Sequence, residues 1–184
     1  MVGRSFSGYE RELRNLLEGD PSSVRAYARS LLATERSEFE RLIDLPFLVI
    51  RGAGSLGLDL VAMRWGLSFP IEVKASTDSV IRFTAASGRA NAQLQAHRTS
   101  IARAGLAVLY AYRRLGLRSE ESWRVFLGSD PPASGVLRFL CRGLPPVGQT
   151  REGNGILRWE EGQRLSQFLE RARLLMEPNG GVSG

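Results

Sequence analysis

Three ionisable residues of this chain have a spacing that could support chemistry. Asp59 lies in the segment LDLVAMRW (58–65), and Glu72 and Lys74 lie in FPIEVKAS (69–76), which follows after a short glycine-containing turn. Both segments have strand composition, and residues i and i+2 of a strand project from one face. Glu72 and Lys74 therefore share a face, and the turn can bring Asp59 opposite them. We predict that the three side chains meet.

Charged side chains within an aliphatic strand are costly to bury unless they are paired or bound to a metal. Two carboxylates a few ångströms apart make a hard-oxygen site for Mg²⁺, with Mn²⁺ as a substitute. Such a cation can polarise a phosphodiester, and a neighbouring ammonium can position the attacking water. The spacing D-x(12)-E-x-K is loose, so an ordinary polar strand face is the alternative interpretation.

Lys74 also stands out in the composition of the chain. Twenty-five residues are Lys or Arg, and Lys74 is the only lysine among them. Lysine offers a compact ammonium, whereas arginine presents a broad planar fork. The only lysine of an arginine-rich chain therefore indicates a role that arginine cannot fill, with chance survival as the alternative. The net charge of +6 favours a polyanionic partner such as nucleic acid.

Length and composition limit the class of protein. With 184 residues, 43% of them hydrophobic, the chain can bury a core as one domain without disulfides. A single cysteine, Cys141, excludes an internal disulfide and fits a reducing compartment. No apolar run is long enough for a signal peptide or a membrane span. We expect an intracellular protein that is cytoplasmic and nucleoid-associated.

Apolar periodicity and turn residues place these residues on elements. The predicted elements, in order, are a helix at 7–18, a helical stretch at 20–45, strands at 46–51, 58–65 and 69–76, a polar segment at 77–90, a helix at 89–105, paired strands at 106–114 and 119–128, and a C-terminal helix within 156–176. The first three strands read as an antiparallel meander. This order predicts an α/β domain, a small mixed sheet flanked by helices.

The motifs, in order and in their strand context, resemble a known family. They read Glu10-Arg11-Glu12-Leu13, Arg51-Gly52-Ala53-Gly54-Ser55, Asp59-Leu60-Val61-Ala62 and Ile71-Glu72-Val73-Lys74. This set is similar to that of archaeal-type Holliday junction resolvases, which belong to the PD-(D/E)xK nuclease superfamily. The resemblance covers about 1–19 and 47–127. It implies a restriction-endonuclease-like core and a homodimer that cuts two opposed strands of a four-way junction.

The resemblance also implies roles for individual residues. It assigns the metal to Glu10, Asp59 and Glu72, assistance to the nucleophile to Lys74, and a place in the catalytic loop to Ser55. Whether one or two metal ions bind is left open, and helix periodicity does not decide between Glu10 and Glu12.

Four arginines are candidates for DNA contact. Arg11 and Arg51 match basic positions that contact DNA in the family, and Arg82 and Arg89 precede or begin the next helix, where they could follow phosphates. A solvated helix face is the alternative for the last two.

Two parts of the chain depart from the family. Residues 20–45 form a helical insertion, and 128–184 match only loosely. The expected organisation is a nuclease domain at 1–128 with this insertion, an extension at 129–176 packing on the core, and a disordered tail at 177–184.

Other interpretations were weighed. Residues 52–57 spell G-x-G-x-x-G, but a dinucleotide-binding fold needs a helix after the last glycine, and strand composition follows. Gln93 could touch the reaction centre or DNA, or simply pack, and His97 is expected on the surface or in helix packing. The leading expectation is an Mg²⁺-dependent, structure-selective endonuclease that resolves junctions by paired strand cleavage. A related restriction or repair nuclease and a non-catalytic DNA-binding protein are the alternatives.

Overall fold

The computed structural model describes residues 6–52, 57–83, 89–101, 103–117, 120–132 and 134–176. Ser55 and the expected tail at 177–184 lie outside these residues. The helices are α1 (Phe6–Leu17), α2 (Pro21–Ala28), α3 (Ala33–Asp44), α4 (Arg89–Ala96), α5 (Gly135–Cys141) and α6 (Leu165–Met176). The strands are β1 (Leu48–Arg51), β2 (Leu60–Arg64), β3 (Leu67–Ser76), β4 (Val80–Arg82), β5 (Leu109–Arg114), β6 (Trp123–Leu127), β7 (Gly148–Gln149), β8 (Gly155–Arg158) and β9 (Gln163–Arg164).

The main sheet has six strands in the order β1-β2-β3-β5-β6-β9. β1, β2 and β3 pair antiparallel, as expected from the sequence, and β5 pairs antiparallel with β6. β3 and β5 run parallel, because β4 and α4 carry the chain back between them. The predicted α/β class, a mixed sheet flanked by helices, is confirmed.

Two apolar clusters cover the two faces of this sheet. Val73 and Ile71 belong to the larger cluster, which also holds buried residues of α1, α2, α3, α5 and α6. Tyr110 and Tyr112 belong to the smaller cluster, together with Phe83, Leu94 and residues of β8. Successive residues of β3 and β5 therefore point into different layers. Glu72 and Lys74 lie on the face of the smaller cluster, since they pair with Tyr110 and Tyr112.

The helical insertion forms α2 and α3, and residues 29–32 between them are not helical. The Asp20 carboxylate caps α2 by accepting a hydrogen bond from Ser23 N at 2.8 Å, and Pro21 occupies the first turn. At the end of α1, Gly19 has φ +68°. A Cβ there would also collide with the backbone of α3, so glycine is required at this corner.

The structure adds elements to two segments of the chain. The segment 77–90, predicted only as polar, contains β4, and the extension after Gly128, for which only a C-terminal helix was predicted, also contains α5, β7 and β8. β4 and β8 pair antiparallel in a three-stranded second sheet, so residues far apart in the chain complete each other's hydrogen bonds. Residues 129–176 also contribute β9 to the main sheet. Only part of 156–176 is helix, because 155–158 is strand.

Candidate active site

Asp59 and Glu72 are brought together by the β2–β3 hairpin. Leu60 pairs with Ile71, and Asp59 N donates to Ile71 O at 3.0 Å, so Asp59 lies beside Glu72. The Asp59 carboxylate is fixed by Val73 N, which donates to Oδ2 at 2.6 Å. The register of the β2–β3 hairpin therefore places Asp59 and Glu72 side by side.

Lys74 completes the group on the same strand face. Its Nζ lies 2.5 Å from Oε1 of Glu72 and 6.0 Å from the centre of the Phe83 ring. Glu72 is buried, and its other oxygen, Oε2, has no hydrogen-bond partner among the described residues. A buried carboxylate oxygen without a partner is costly. This atom is available to a cation or to substrate.

The electrostatics of Asp59 and Glu72 favour the binding of a cation between them. Burial raises the pKa of Glu72 to about 7, helped by the charge of Asp59 and opposed by Lys74 and the nearby Gln93 amide. Burial also raises the pKa of Asp59, against the hydrogen bond from Val73 and the charge of Lys74. Two desolvated carboxylates that repel each other are stabilised by a divalent cation between them.

The structure separates Glu10 from Glu12, which periodicity left open. Burial and the charge of Asp59 raise the pKa of Glu10, so Glu10 is near enough to Asp59 for the two charges to interact. Glu12 instead accepts hydrogen bonds from Arg113 Nε at 2.8 Å and Trp123 Nε1 at 3.1 Å. Glu12 is held over β5 and β6, away from the acid pair.

The predicted three-carboxylate metal set is only partly assembled. Among the described residues, no group of three or more His, Cys, Asp or Glu side chains is arranged to hold a metal ion. Asp59 and Glu72 are adjacent, whereas Glu10 has an ion pair with Arg51 at 3.6 Å. The geometry supports two carboxylate ligands, Asp59 and Glu72, with Glu10 paired to Arg51.

Gln93 lies at the centre, one of the possibilities that the sequence left open. Its Nε2 donates to the carbonyl of Gly57, two residues before Asp59, and its amide lowers the pKa of Glu72. Gly57 has φ +64°, and a Cβ there would collide with the Gln93 amide. Gln93 thus ties α4 to the loop that leads into Asp59.

His97 is fully buried and packs behind the centre. Its Nδ1 is 2.9 Å from the hydroxyl of Tyr110, the cross-strand partner of Glu72. His97 is therefore a helix-packing residue, as one of the two expectations had it. The sequence carries no local signal for Tyr110 or Phe83, because their proximity to the centre depends on the β3–β5 register and on β4.

The candidate DNA-contact arginines occupy different surroundings. Arg51 and Arg11 line a groove of about 180 Å³ together with Glu10, Arg14 and Leu60. Both arginines are exposed.

Arg82 is also exposed and is the last residue of β4. The next residue, Phe83, places its ring beside the Lys74 ammonium. Arg89 begins α4, and its side chain lies outside what the structure describes.

Comparisons with known proteins give little. No protein-family model matches the chain, and no curated protein does. Among solved structures, the chain is similar to Hjc of Archaeoglobus fulgidus, a Holliday junction resolvase from an archaeal hyperthermophile, determined at 1.6 Å. The identity is 18% and the TM-score 0.47, over 74% of this chain and 93% of that chain. Similarity at this level carries no argument about activity. No described helix is long and apolar enough to cross a membrane.

Proposed function

We propose that this chain is a divalent-cation-dependent DNA endonuclease with Asp59, Glu72 and Lys74 at its reaction centre. The observation that carries the proposal is the convergence of these three side chains on one strand face, with Oε2 of Glu72 buried and without a described partner. The motif resemblance set out above favours the resolvase type within this class. Glu10 is included as an accessory acid because its carboxylate interacts electrostatically with Asp59 and pairs with Arg51.

The donor set fits Mg²⁺ or Mn²⁺. Both acids offer hard oxygen donors, the class that these ions prefer. Asp59 and Glu72 would hold the ion, and when bound it would polarise the scissile phosphodiester and stabilise the developing negative charge.

The side chains around the acids supply the remaining functions. The Lys74 ammonium can donate a hydrogen bond to a water molecule and orient it toward the phosphorus, as well as offset negative charge. The backbone N–H of Val73 holds the Asp59 carboxylate in a fixed orientation. Gln93 restrains the Gly57 carbonyl and hence the chain entering Asp59. Arg11 and Arg51 line the adjoining groove, where they can bind the phosphates of the strand to be cut.

We propose four-way junctions as the preferred substrate and a homodimer as the active form. The described part of the chain contains one Asp59–Glu72–Lys74 centre, while paired cleavage of two opposed strands needs two. Two copies of the chain meet this requirement.

The test is cleavage of labelled junction, flap and plain duplex DNA in Mg²⁺ or in EDTA. We expect junctions to be cut fastest, only with the cation, and Asp59→Asn to reduce cleavage by about 100-fold or more. Asp78→Asn is the matched control, because Asp78 follows β3 and its side chain is exposed. Equal cleavage of duplex and junction would exclude the resolvase type. An active Asp59→Asn enzyme would exclude the site.

The same assay separates the remaining alternatives. A restriction or repair nuclease would cleave in Mg²⁺ with a different shape preference. A DNA-binding protein without catalysis would bind junctions and cut none under any metal condition.

A further inference from the structure

A sizeable cavity lies outside the reaction centre, between α1, α2 and the β5–β6 connection. Its volume is about 420 Å³, within the range of about 300–1,000 Å³ typical of small-ligand sites. The inserted segment 20–45 supplies one wall with Ser23, Ala26, Tyr27 and Ser30.

The pocket and the groove that contains Glu10 lie on two sides of Arg11. Arg11 lines both the pocket and the groove that holds Glu10, Arg14 and Arg51. A strand that leaves this groove and crosses α1 at Arg11 reaches the mouth of the pocket. An exposed guanidinium at this border can bind one phosphate while the attached nucleoside turns inward.

The interior of the pocket suits a neutral, planar, polar group better than a phosphate. Two carboxylates, Glu12 and Glu120, and two guanidinium groups, Arg11 and Arg113, line it, so the lining has no net charge to attract a phosphate. Glu12 is already engaged by Arg113 and Trp123. Exposed Glu120 can accept from an amino group of a base.

Flat and hydrogen-bonding surfaces line the same space. The Arg113 guanidinium lies 5.8 Å from the centre of the Tyr27 ring, giving a planar cation beside an aromatic wall. Nε and Nη1 of Arg113 donate to Glu12 and to the Arg114 carbonyl, which fixes the guanidinium plane in the wall of the pocket. Asn15 donates to Ser23 Oγ at 3.3 Å, which leaves its carbonyl oxygen for a ligand. Aromatic and guanidinium planes with mixed donors and acceptors are the chemistry that receives unpaired bases.

We propose that this pocket binds the base of one unpaired nucleotide of the DNA substrate, with the adjoining phosphate on Arg11. The proposal rests on the proposed function for the presence of DNA in the groove. The insertion then confers a preference for DNA in which a base is free to leave the stack.

The test measures binding in EDTA, so that cleavage does not enter. The ligands are a fluorescent duplex with one unpaired deoxycytidine, which carries an amino group, and the same duplex with an abasic residue at that position. We expect the wild type to bind the abasic duplex about tenfold more weakly. Ala26→Phe, which places a ring in the pocket from an exposed position, should abolish this difference without weakening abasic-duplex binding.

Two further variants keep the outcome decisive. Ser22→Phe is the matched control, since Ser22 is exposed on the same helix and does not line the pocket, and it should keep the wild-type ratio. Ser30→Phe fills the pocket from beyond the end of α2 and replaces Ala26→Phe if that variant does not fold. A wild-type ratio near one, or a filled pocket that keeps the preference, overturns the proposal.

The two proposals fail in different ways. If the base preference holds but no cation supports cleavage, the pocket stands and the nuclease proposal falls. If cleavage depends on Asp59 while the abasic duplex binds as well as the unpaired one, the nuclease proposal stands and the pocket does not.

Discussion

At the scale of single residues, the centre depends on where an ammonium can be placed. Lys74 is largely buried, with 20% of its side chain exposed, and lies between the Glu72 carboxylate and the Phe83 ring. This space suits a compact ammonium with rotatable donors. A guanidinium is broader and planar, and its donors are fixed in a fork. Charge alone is therefore not enough at this position.

We predict that Lys74→Arg loses most turnover, by about 100-fold, because the displaced donors no longer orient water. DNA affinity in EDTA should stay close to that of the wild type, since the charge is kept. Lys74→Ala is the companion variant and should lose both turnover and some affinity. Single-turnover cleavage and fluorescence anisotropy measure the two effects. Wild-type turnover in Lys74→Arg would mean that the only lysine of the chain survived by chance.

At the scale of elements, two contacts set the position of Asp59. The hairpin register places it beside Glu72, and Gln93 on α4 holds the Gly57 carbonyl just before it. The second contact requires a glycine, since a Cβ at Gly57 would push the Gln93 amide away. Helix α4 is thus a support for the acid pair.

We predict that Gly57→Ala lowers turnover by about 100-fold, because the collision displaces Gln93 and shifts the chain entering Asp59. Gly66→Ala is the matched control. Gly66 also has positive φ, at +80°, but a Cβ there meets no atom within 4 Å. Both variants should lose similar thermal stability from the left-handed backbone, and only Gly57→Ala should lose turnover. Equal turnover losses would show that backbone strain, and not Gln93, is responsible.

The hairpin part of the site could be predicted from the sequence because it is local. The i and i+2 spacing of Glu72 and Lys74 and the short connection to Asp59 fix their common face. Glu10 could not be separated from Glu12, because both border the apolar stripe of α1. The distinction comes from what each meets across the sheet, Asp59 in one case and Arg113 with Trp123 in the other.

The non-local part could not be predicted. Tyr110 lies beside Glu72 only because β3 and β5 pair in parallel at one register. Phe83 reaches Lys74 because β4 pairs with β8, more than 70 residues later. Residues 77–90 are polar and lack apolar periodicity. Strand β4 within them is therefore stabilised by pairing with β8, and no apolar pattern in the segment itself predicts it. Long-range pairing of this kind leaves no signal in a single segment.

At the scale of the whole molecule, the arginines divide into those that make contacts within the protein and those that are exposed and can contact DNA. Many arginines are used internally: Arg64 donates to the Leu45 carbonyl at 2.6 Å, and Arg124 stacks at 3.8 Å from the centre of the Trp159 ring. Arg11 and Arg51, by contrast, are exposed beside the reaction centre. The net charge of +6 attracts DNA in general, and these two side chains determine where its backbone lies.

This division predicts how DNA affinity depends on salt. Each arginine that neutralises a phosphate releases counterions, and log affinity falls with log salt by about 0.9 per contact. Arg11→Ala and Arg51→Ala should each reduce the slope by about one and weaken binding equally across DNA sequences. Arg142→Ala is the control, because Arg142 is exposed beside Phe139 at the end of α5 and lines no part of the groove. Titrations in EDTA at several salt concentrations measure the slopes. If Arg142→Ala changed the slope as much as Arg51→Ala, the charge would act as a diffuse field, and the groove would not be the path of the DNA backbone.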